Sequence, residues 1–222
     1  MDHISHHLVE FMGYSFHLDT IRVTLVTDLV VIVFAVLLTR NLKPFPETRR
    51  QNAIEMLAEF WVNQIESMAG PHGKKTVPII MTLFVYLFWA NQLGLVPGFT
   101  SPTNDLNATL GLAVLMVILA HVLGCIQKGF FHYMKHFIEP SFVFLPINLL
   151  EECTKPVTLA CRLFGNIFAG EILLMILNML APLFIPTIWL GFSVFVGLVQ
   201  ALIFSIISIT YFANALKPEE QE

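Results

Sequence analysis

Hydrophobic positions divide the chain into long apolar runs separated by short polar segments. The first three runs, at 21–39, 77–96 and 108–126, contain about twenty residues each. A helix of that length crosses about 30 Å of hydrocarbon. The pattern therefore predicts three transmembrane helices in the first part of the chain.

The two remaining apolar runs, at 148–180 and 187–216, are too long to stand upright in a membrane. As straight helices they would measure about 50 and 45 Å, against a hydrocarbon core of about 30 Å. Either they are strongly tilted, or Pro156 bends the first of them. We expect two long, strongly tilted helices, which brings the predicted spans to five.

The segment 51–68 has a different pattern, because its charged residues fall on one face of a helix. The apolar positions at helical spacing are Ile54, Leu57, Ala58, Trp61, Ile65 and Met68, and the opposite face carries Glu55, Glu59, Asn63 and Glu66. This helix is too polar to span a membrane and is predicted to lie at the cytoplasmic interface or against another subunit. The expected fold class is thus an all-α polytopic membrane protein with five transmembrane helices and one interfacial amphipathic helix, forming one domain over 1–222.

Composition and charge support this class and give an orientation. The 222 residues are 56% hydrophobic and 13% charged, whereas soluble domains carry about 25% charged residues. Basic residues gather in the connections 40–50 and 127–139, which the positive-inside rule assigns to the cytoplasm. The N-terminus is then outside and the C-terminus cytoplasmic. No basic patch indicates nucleic-acid binding, and the His-rich segment 1–20 is expected to be a loosely ordered tail without a metal site.

Charged residues in the fourth apolar run are the main candidates for function. Glu151, Glu152, Lys155, Arg162 and Glu171 lie inside or beside membrane-spanning sequence. A charge at the centre of a bilayer costs roughly 2.5–3.5 kcal/mol on insertion scales, so it must face protein, water or an opposite charge. We therefore interpret this run as a functional site.

The spacing of the polar residues in this run separates its cation from its last carboxylate. Thr154, Thr158, Arg162 and Asn166 recur every four residues and form one slowly winding stripe on a helix. Glu171 follows Arg162 by nine residues, about 13–14 Å along the axis and on the opposite face. The two charges cannot pair within one straight helix. This favours an ion path, although each charge could instead bond a neighbouring helix and only fix packing.

The run from Lys155 to Glu171, KPVTLACRLFGNIFAGE, closely resembles the characteristic motif of subunit a of F-type ATP synthases. The later QALIF at 200–204 is similar to that family's last helix, and PTNDLNAT at 102–109 is similar to a loop before its middle helix. The resemblance covers most of the chain in the family's order.

The resemblance implies a non-catalytic, ion-translocating stator subunit in the membrane sector of a rotary ATP synthase. Two offset half-channels would face a rotating c-ring in a bacterial plasma membrane. The expected partners are the c-ring, the peripheral-stalk subunit b, the rest of the F1Fo complex and the lipid bilayer. No cofactor is expected, and protons are the expected ion.

The resemblance also assigns roles to individual positions. Arg162 matches the fixed arginine between the half-channels, and Asn166, Glu171 and Gln200 match proton-translocation positions near it. The outer half-channel candidates are Asp105, Asn107 and Ser193. The inner half-channel candidates are Glu151, Glu152, Lys155 and Thr158.

The sequence departs from the family's pattern at two places. Some members place a histidine seven residues before the glutamine of the last helix, where this chain has Ser193. Glu171 therefore needs a different partner, such as water or Ser193. The segment between Asn148 and Lys155 is shorter than in some members, so either Glu151 or Glu152 can be the matching inner acid.

Two other function classes were weighed against this one. A secondary transporter could bind an anionic solute at Arg162, but such transporters usually contain internal repeats, and none is visible in this sequence. An intramembrane enzyme could use the histidines and carboxylates, but the chain lacks a nucleophile–base or HExxH pattern.

Overall fold

The structure is a computed structural model that describes residues 8–11, 14–40, 43, 48–96, 101–129, 133, 145–181 and 184–216. Six α-helices lie in this part of the chain: α1 (Leu18–Thr39), α2 (Arg49–Ala69), α3 (Val77–Leu93), α4 (Leu106–Lys128), α5 (Leu145–Leu180) and α6 (Ile185–Leu216). Short 3₁₀ helices at Pro71–Thr76 and Pro102–Asn104 precede α3 and α4. The predicted tail at 217–222 and most of the connection 127–139 lie outside the described residues.

Five of these helices, all except α2, are long and apolar enough to cross a membrane. This confirms the predicted fold class. With 36 and 32 residues, α5 and α6 extend about 54 and 48 Å, so both exceed the thickness of the hydrocarbon core.

The N-terminal segment differs from the expected unordered tail. An antiparallel hairpin pairs β1 (Leu8–Phe11) with β2 (Tyr14–His17), in register from Leu8 opposite His17 to Phe11 opposite Tyr14. The sequences LVEF and YSFH contain residue types that favour strands.

Helix α2 packs its apolar face against the rest of the chain. Thr48 caps its first turn by accepting a hydrogen bond from the backbone N–H of Gln51, and Gly70 ends it at a φ of 67°. Trp61 and Ile65 are fully buried, and the Trp61 ring lies 5.1 Å from the ring of Phe84 on α3. The predicted amphipathic helix is therefore attached to α3 and α6 of its own chain.

Helix α6 is the centre of the packing, because it contacts α2, α3, α4 and α5. Its buried side chains include Phe204, Ile209 and Phe212. Helix α4 lies against both α5 and α6, where it buries Ala113 and Met116. By contrast, α5 buries only a narrow strip of its surface, and α1 contacts the bundle mainly through α3.

The last turn of α3 is tied to α6 by side-chain amides. Asn91 donates to the carbonyl of Gly197 at 3.0 Å, and Gln92 donates to the carbonyl of Val194 at 3.1 Å. A Cβ added at Gly197 would lie 3.2 Å from Asn91 Cβ, a tight contact. The missing side chain at 197 therefore lets the Asn91 amide reach the α6 backbone.

A second close approach occurs at Gly94, which follows α3. A Cβ added there would lie 2.5 Å from Ser101 Cβ and 3.0 Å from Ser101 Cα. The segment 101–104 can therefore pack directly on the end of α3 only because residue 94 is glycine.

We expect Gly94→Ala to destabilise the protein, because the added methyl group must displace the backbone at Ser101. Overpacking of this kind typically costs about 1–3 kcal/mol. The matched control is Gly111→Ala on α4, where an added Cβ meets nothing within 4 Å. The measurement is the thermal unfolding midpoint of the detergent-purified protein. Equal midpoints for the two variants would contradict this account of residue 94.

Candidate functional site

The first three residues of the polar stripe predicted on α5 face away from the chain's own core. Thr154, Thr158 and Arg162 are exposed, whereas Leu159 and Leu163 on the other side of the helix are fully buried. The two threonine hydroxyls donate to backbone carbonyls one turn earlier, at 2.8 Å each. Their polarity is thus partly satisfied within the helix.

Arg162 has no hydrogen-bond or ion-pair partner among the residues that the structure describes. It is exposed, and other exposed side chains of the same helix are large and apolar, including Val157 and Phe168. In a membrane-spanning helix an unpaired cationic side chain is costly, because hydrocarbon does not solvate charge. The geometry therefore requires a partner outside this chain or access to water.

Glu171 lies on a different side of α5, in a cavity of about 210 Å³. The polar residues that line this cavity are Asn91, Ser101, Asn166, Glu171 and Ser193. The structure thus brings three of the predicted site residues, Asn166, Glu171 and Ser193, into one cavity. The structure also separates the two charges, as predicted. Arg162 faces outward, whereas Glu171 lies between helices.

The hydrogen-bond partner of Glu171 in the described part of the chain is Asn104. Its side-chain Nδ2 donates to Glu171 Oε2 at 2.6 Å. Ser193 shares the cavity but donates instead to the carbonyl of Trp189 at 2.9 Å, within its own helix. The bond from Asn104 was not predicted, although Asn104 belongs to the recognised PTNDLNAT segment.

The two residues predicted from that segment have another local function. Asp105 caps the start of α4, where its Oδ1 accepts from the backbone N–H of Asn107 at 2.9 Å. Its other oxygen accepts from the Thr20 hydroxyl at 3.2 Å. Asn107 is exposed, and neither residue lines the cavity.

Gln200 lies deeper in the bundle than the cavity. It is 5% exposed, and its Nε2 has no hydrogen-bond partner among the described residues. It follows Ser193 by seven residues, so the two side chains share a face of α6, about 10 Å apart along the axis. An unsatisfied buried donor is uncommon and energetically unfavourable.

A second polar cluster occupies the earlier part of α5. Lys155 Nζ lies 2.5 Å from Glu152 Oε1 and 3.4 Å from Glu151 Oε1. The two acids differ in environment, because the side chain of Glu152 is 22% exposed and that of Glu151 is 64% exposed. Glu152 also lies 3.3 Å from His121 Nε2 on α4. Of the two acids, only Glu152 forms an ion pair with another helix among the described residues.

Aromatic side chains border this second cluster. The hydroxyl of Tyr211 on α6 donates to the Lys155 carbonyl at 3.4 Å. The Tyr133 ring packs edge-on against His121, with 5.9 Å between ring centroids. Burial and then the charge of Glu152 raise the pKa of Tyr133 to about 12, so its hydroxyl stays protonated at physiological pH. The structure thus places His121 both against the Tyr133 ring and beside the Glu152 carboxylate.

Sequence reasoning missed the residues that act across helices. Asn91 and His121 lie outside the motifs that the sequence analysis recognised. Ser101, Thr103 and Asn104 were not selected at all. Such residues can be identified only when it is known which helices are neighbours, and a single sequence does not give that information.

Comparisons with known proteins agree with this architecture. A family model described as "ATP synthase A chain" matches residues 21–213. A protein from Desulforamulus reducens named "ATP synthase subunit a" is 43% identical over 209 residues, covering 90% of this chain and 80% of the relative. Its namesake from Anoxybacillus flavithermus is 40% identical over 226 residues, covering 93% and 95% of the two chains. One from Acidothermus cellulolyticus is 35% identical over 221 residues, covering 95% and 81%.

These matches confirm the resemblance that was found in the KPVTLACRLFGNIFAGE motif. They span the helices that carry both polar clusters and the outward-facing arginine. Together with the five helices that can cross a bilayer, they identify a multi-pass membrane protein. The chain belongs to the ATP synthase A chain family.

Proposed function

We propose that this protein is the stator subunit a of a bacterial rotary ATP synthase, in which it conducts protons through two offset half-channels. One observation carries the proposal: Arg162 is unpaired within the described chain and lies between two polar clusters. Glu152 precedes it by ten residues and Glu171 follows it by nine. Those separations are about 15 and 13–14 Å along the helix, so the cation lies near the midpoint.

The outer half-channel in this proposal is the cavity around Glu171. Asn166 and Ser193 line its walls together with Glu171. Asp105 and Asn107 lie at the start of α4, next to the segment that supplies Asn104, and would form the entrance. Gln200 would extend the path inward, since its buried Nε2 can donate to a passing carboxylate or water.

The inner half-channel is assigned to the cluster of Glu152 and Lys155, with Thr158 on the approach to Arg162. Glu152 is favoured over Glu151 as the inner acid, because it faces α4 and its side chain is mostly buried. Glu151 is largely exposed and pairs only with Lys155 among the described residues.

The exposed face of α5 suits a partner that carries its own carboxylate. Such a group on a c-ring would be attracted by Arg162 and held ionised next to it, since an opposite charge nearby favours the charged form. After turning away, it would take a proton from the outer half-channel, pass through lipid in neutral form, and release the proton into the inner one. A fixed cation at the midpoint blocks a direct proton leak. A membrane potential supplies about 2.3 kcal/mol per charge per 100 mV.

The remaining expectations belong to this proposal. The subunit itself catalyses no covalent reaction, and its other partners are the peripheral-stalk subunit b and the rest of the F1Fo complex. The N-terminus is placed outside and the C-terminus in the cytoplasm by the basic connections. A solute transporter is less well supported, because Arg162 faces outward and not into a cavity among the described residues.

Arg162→Ala should abolish ion-driven ATP synthesis in vesicles that contain the whole complex, while passive proton leak persists or grows. The physical reason is that the barrier between the half-channels loses its fixed charge. Arg22→Ala, which removes an exposed arginine near the start of α1, is the matched control and should retain synthesis. Synthesis by Arg162→Ala at near wild-type rates would show that this arginine is structural, and the proposed mechanism would have to be abandoned.

Glu152→Gln should lower ATP synthesis at least several-fold, and Glu151→Gln should have a much smaller effect. Both changes replace a carboxylate by an amide of the same size, but only the first removes a titratable group that faces another helix. Synthesis rates are compared at equal amounts of assembled complex. Equal losses in both variants, or the larger loss in Glu151→Gln, would contradict the assignment of the inner acid.

A further inference from the structure

We propose that Asn104 is a positioning residue that holds the carboxyl group of Glu171 in the outer cavity and sets the pH range in which Glu171 passes protons on. The proposal rests on the function proposed above. In this proposal the neutral partner of Glu171 is Asn104. Ser193 donates its hydroxyl to the Trp189 carbonyl instead.

The contact between the two side chains is direct. Asn104 Nδ2 lies 2.6 Å from Glu171 Oε2, and the bond joins residues 67 positions apart in the sequence. No ion pair of Glu171 occurs among the described residues. A hydrogen bond to a charged group is stronger than one between neutral groups. The hydrogen bond from Asn104 is thus the main interaction that fixes the orientation of the Glu171 carboxylate.

The backbone that carries Asn104 is itself held in place. The Ser101 hydroxyl donates to the Ala90 carbonyl at 3.1 Å and lies 2.6 Å from the Thr103 hydroxyl. Thr103 in turn donates to Asn91 Oδ1 at 3.2 Å. Because Asn91 also bonds α6 through the Gly197 carbonyl, this chain of hydrogen bonds ties the 101–104 segment to two helices. The backbone segment that carries Asn104 is therefore held in place next to Glu171.

An amide suits both protonation states of the acid. When Glu171 is ionised, Nδ2 of Asn104 donates to it. When Glu171 carries a proton, its O–H needs an acceptor, and Asn104 Oδ1 is buried without a hydrogen-bond partner among the described residues. The amide does not gain or lose a proton. The proton moves only from water in the outer half-channel to Glu171 and from there to the ring carboxylate.

The alternative is that Asn104 only fastens the 101–104 segment to α5. The pH profile separates these roles. A side-chain amide that donates to the ionised form of Glu171 stabilises that form, so Glu171 releases its proton more easily. Without it Glu171 keeps its proton to a higher pH, and the acid limb of the activity profile moves upward. A fastening role alone lowers the amount of active complex and leaves the position of the profile unchanged.

The experiment measures ATP synthesis against pH in vesicles holding the whole complex, for wild type and Asn104→Ala. We expect a loss of about tenfold near neutral pH, with the acid limb moved upward by about one pH unit. Asn104→Leu keeps a branched side chain of similar length but has neither a donor nor a charge, so it provides the same test if Asn104→Ala does not assemble. The matched control is Asn178→Ala, which removes an exposed amide near the end of α5 and should change neither quantity.

Each remaining outcome overturns a specific claim. A loss of rate with an unmoved profile means that Asn104 is only structural and overturns the inference. An unchanged rate and profile in Asn104→Ala also overturns it, while a strong loss in Glu171→Gln, measured in parallel, leaves the proposed function intact. If Glu171→Gln and Arg162→Ala both retain synthesis, the proposed function itself fails.

Discussion

The constraint on which this structure depends is the cost of placing charge in hydrocarbon. Helix α5 carries Glu151, Glu152, Lys155, Arg162 and Glu171 within one continuous helix that meets the length and hydropathy required to span a bilayer. The bundle resolves that cost in three ways. Glu152 and Lys155 pair with each other, Glu171 bonds an amide beside a cavity, and Arg162, exposed and unpaired among the described residues, would face the partner proposed above. Each solution matches a different step of the proposed ion path.

The packing explains why one helix can present such different environments. Helix α5 buries little of its surface in this chain, whereas α6 is buried along much of its length against four neighbours. An exposed face with many large apolar side chains is typical of a surface that contacts lipid or another protein. A rotor carrying a carboxylate fits this face, since it would cover the apolar surface and compensate the guanidinium.

The cavity around Glu171 depends on close approaches that only small residues and amides permit. Gly94 and Gly197 allow the 101–104 segment and α6 to approach α3, and Asn91 bonds across the resulting gap. In a membrane, a buried polar group without a partner is costly, so such hydrogen bonds also favour one specific arrangement of the helices. Rigidity at this end of the bundle is consistent with a stator that must hold its acidic group still while a partner moves past.

The sequence by itself determined the membrane class, the number of spans, the amphipathic character of α2 and the family, because these follow from hydrophobic periodicity and from one continuous motif. It also indicated that Arg162 and Glu171 face different environments, since nine residues of helix separate them by about half a turn beyond two full turns. Only the tertiary structure decided that Asn104 and not Ser193 bonds Glu171, that Glu152 and not Glu151 faces α4, and that Asp105 caps a helix outside the cavity. Those facts depend on contacts between residues distant in sequence, and neither local spacing nor composition specifies which helices lie next to each other.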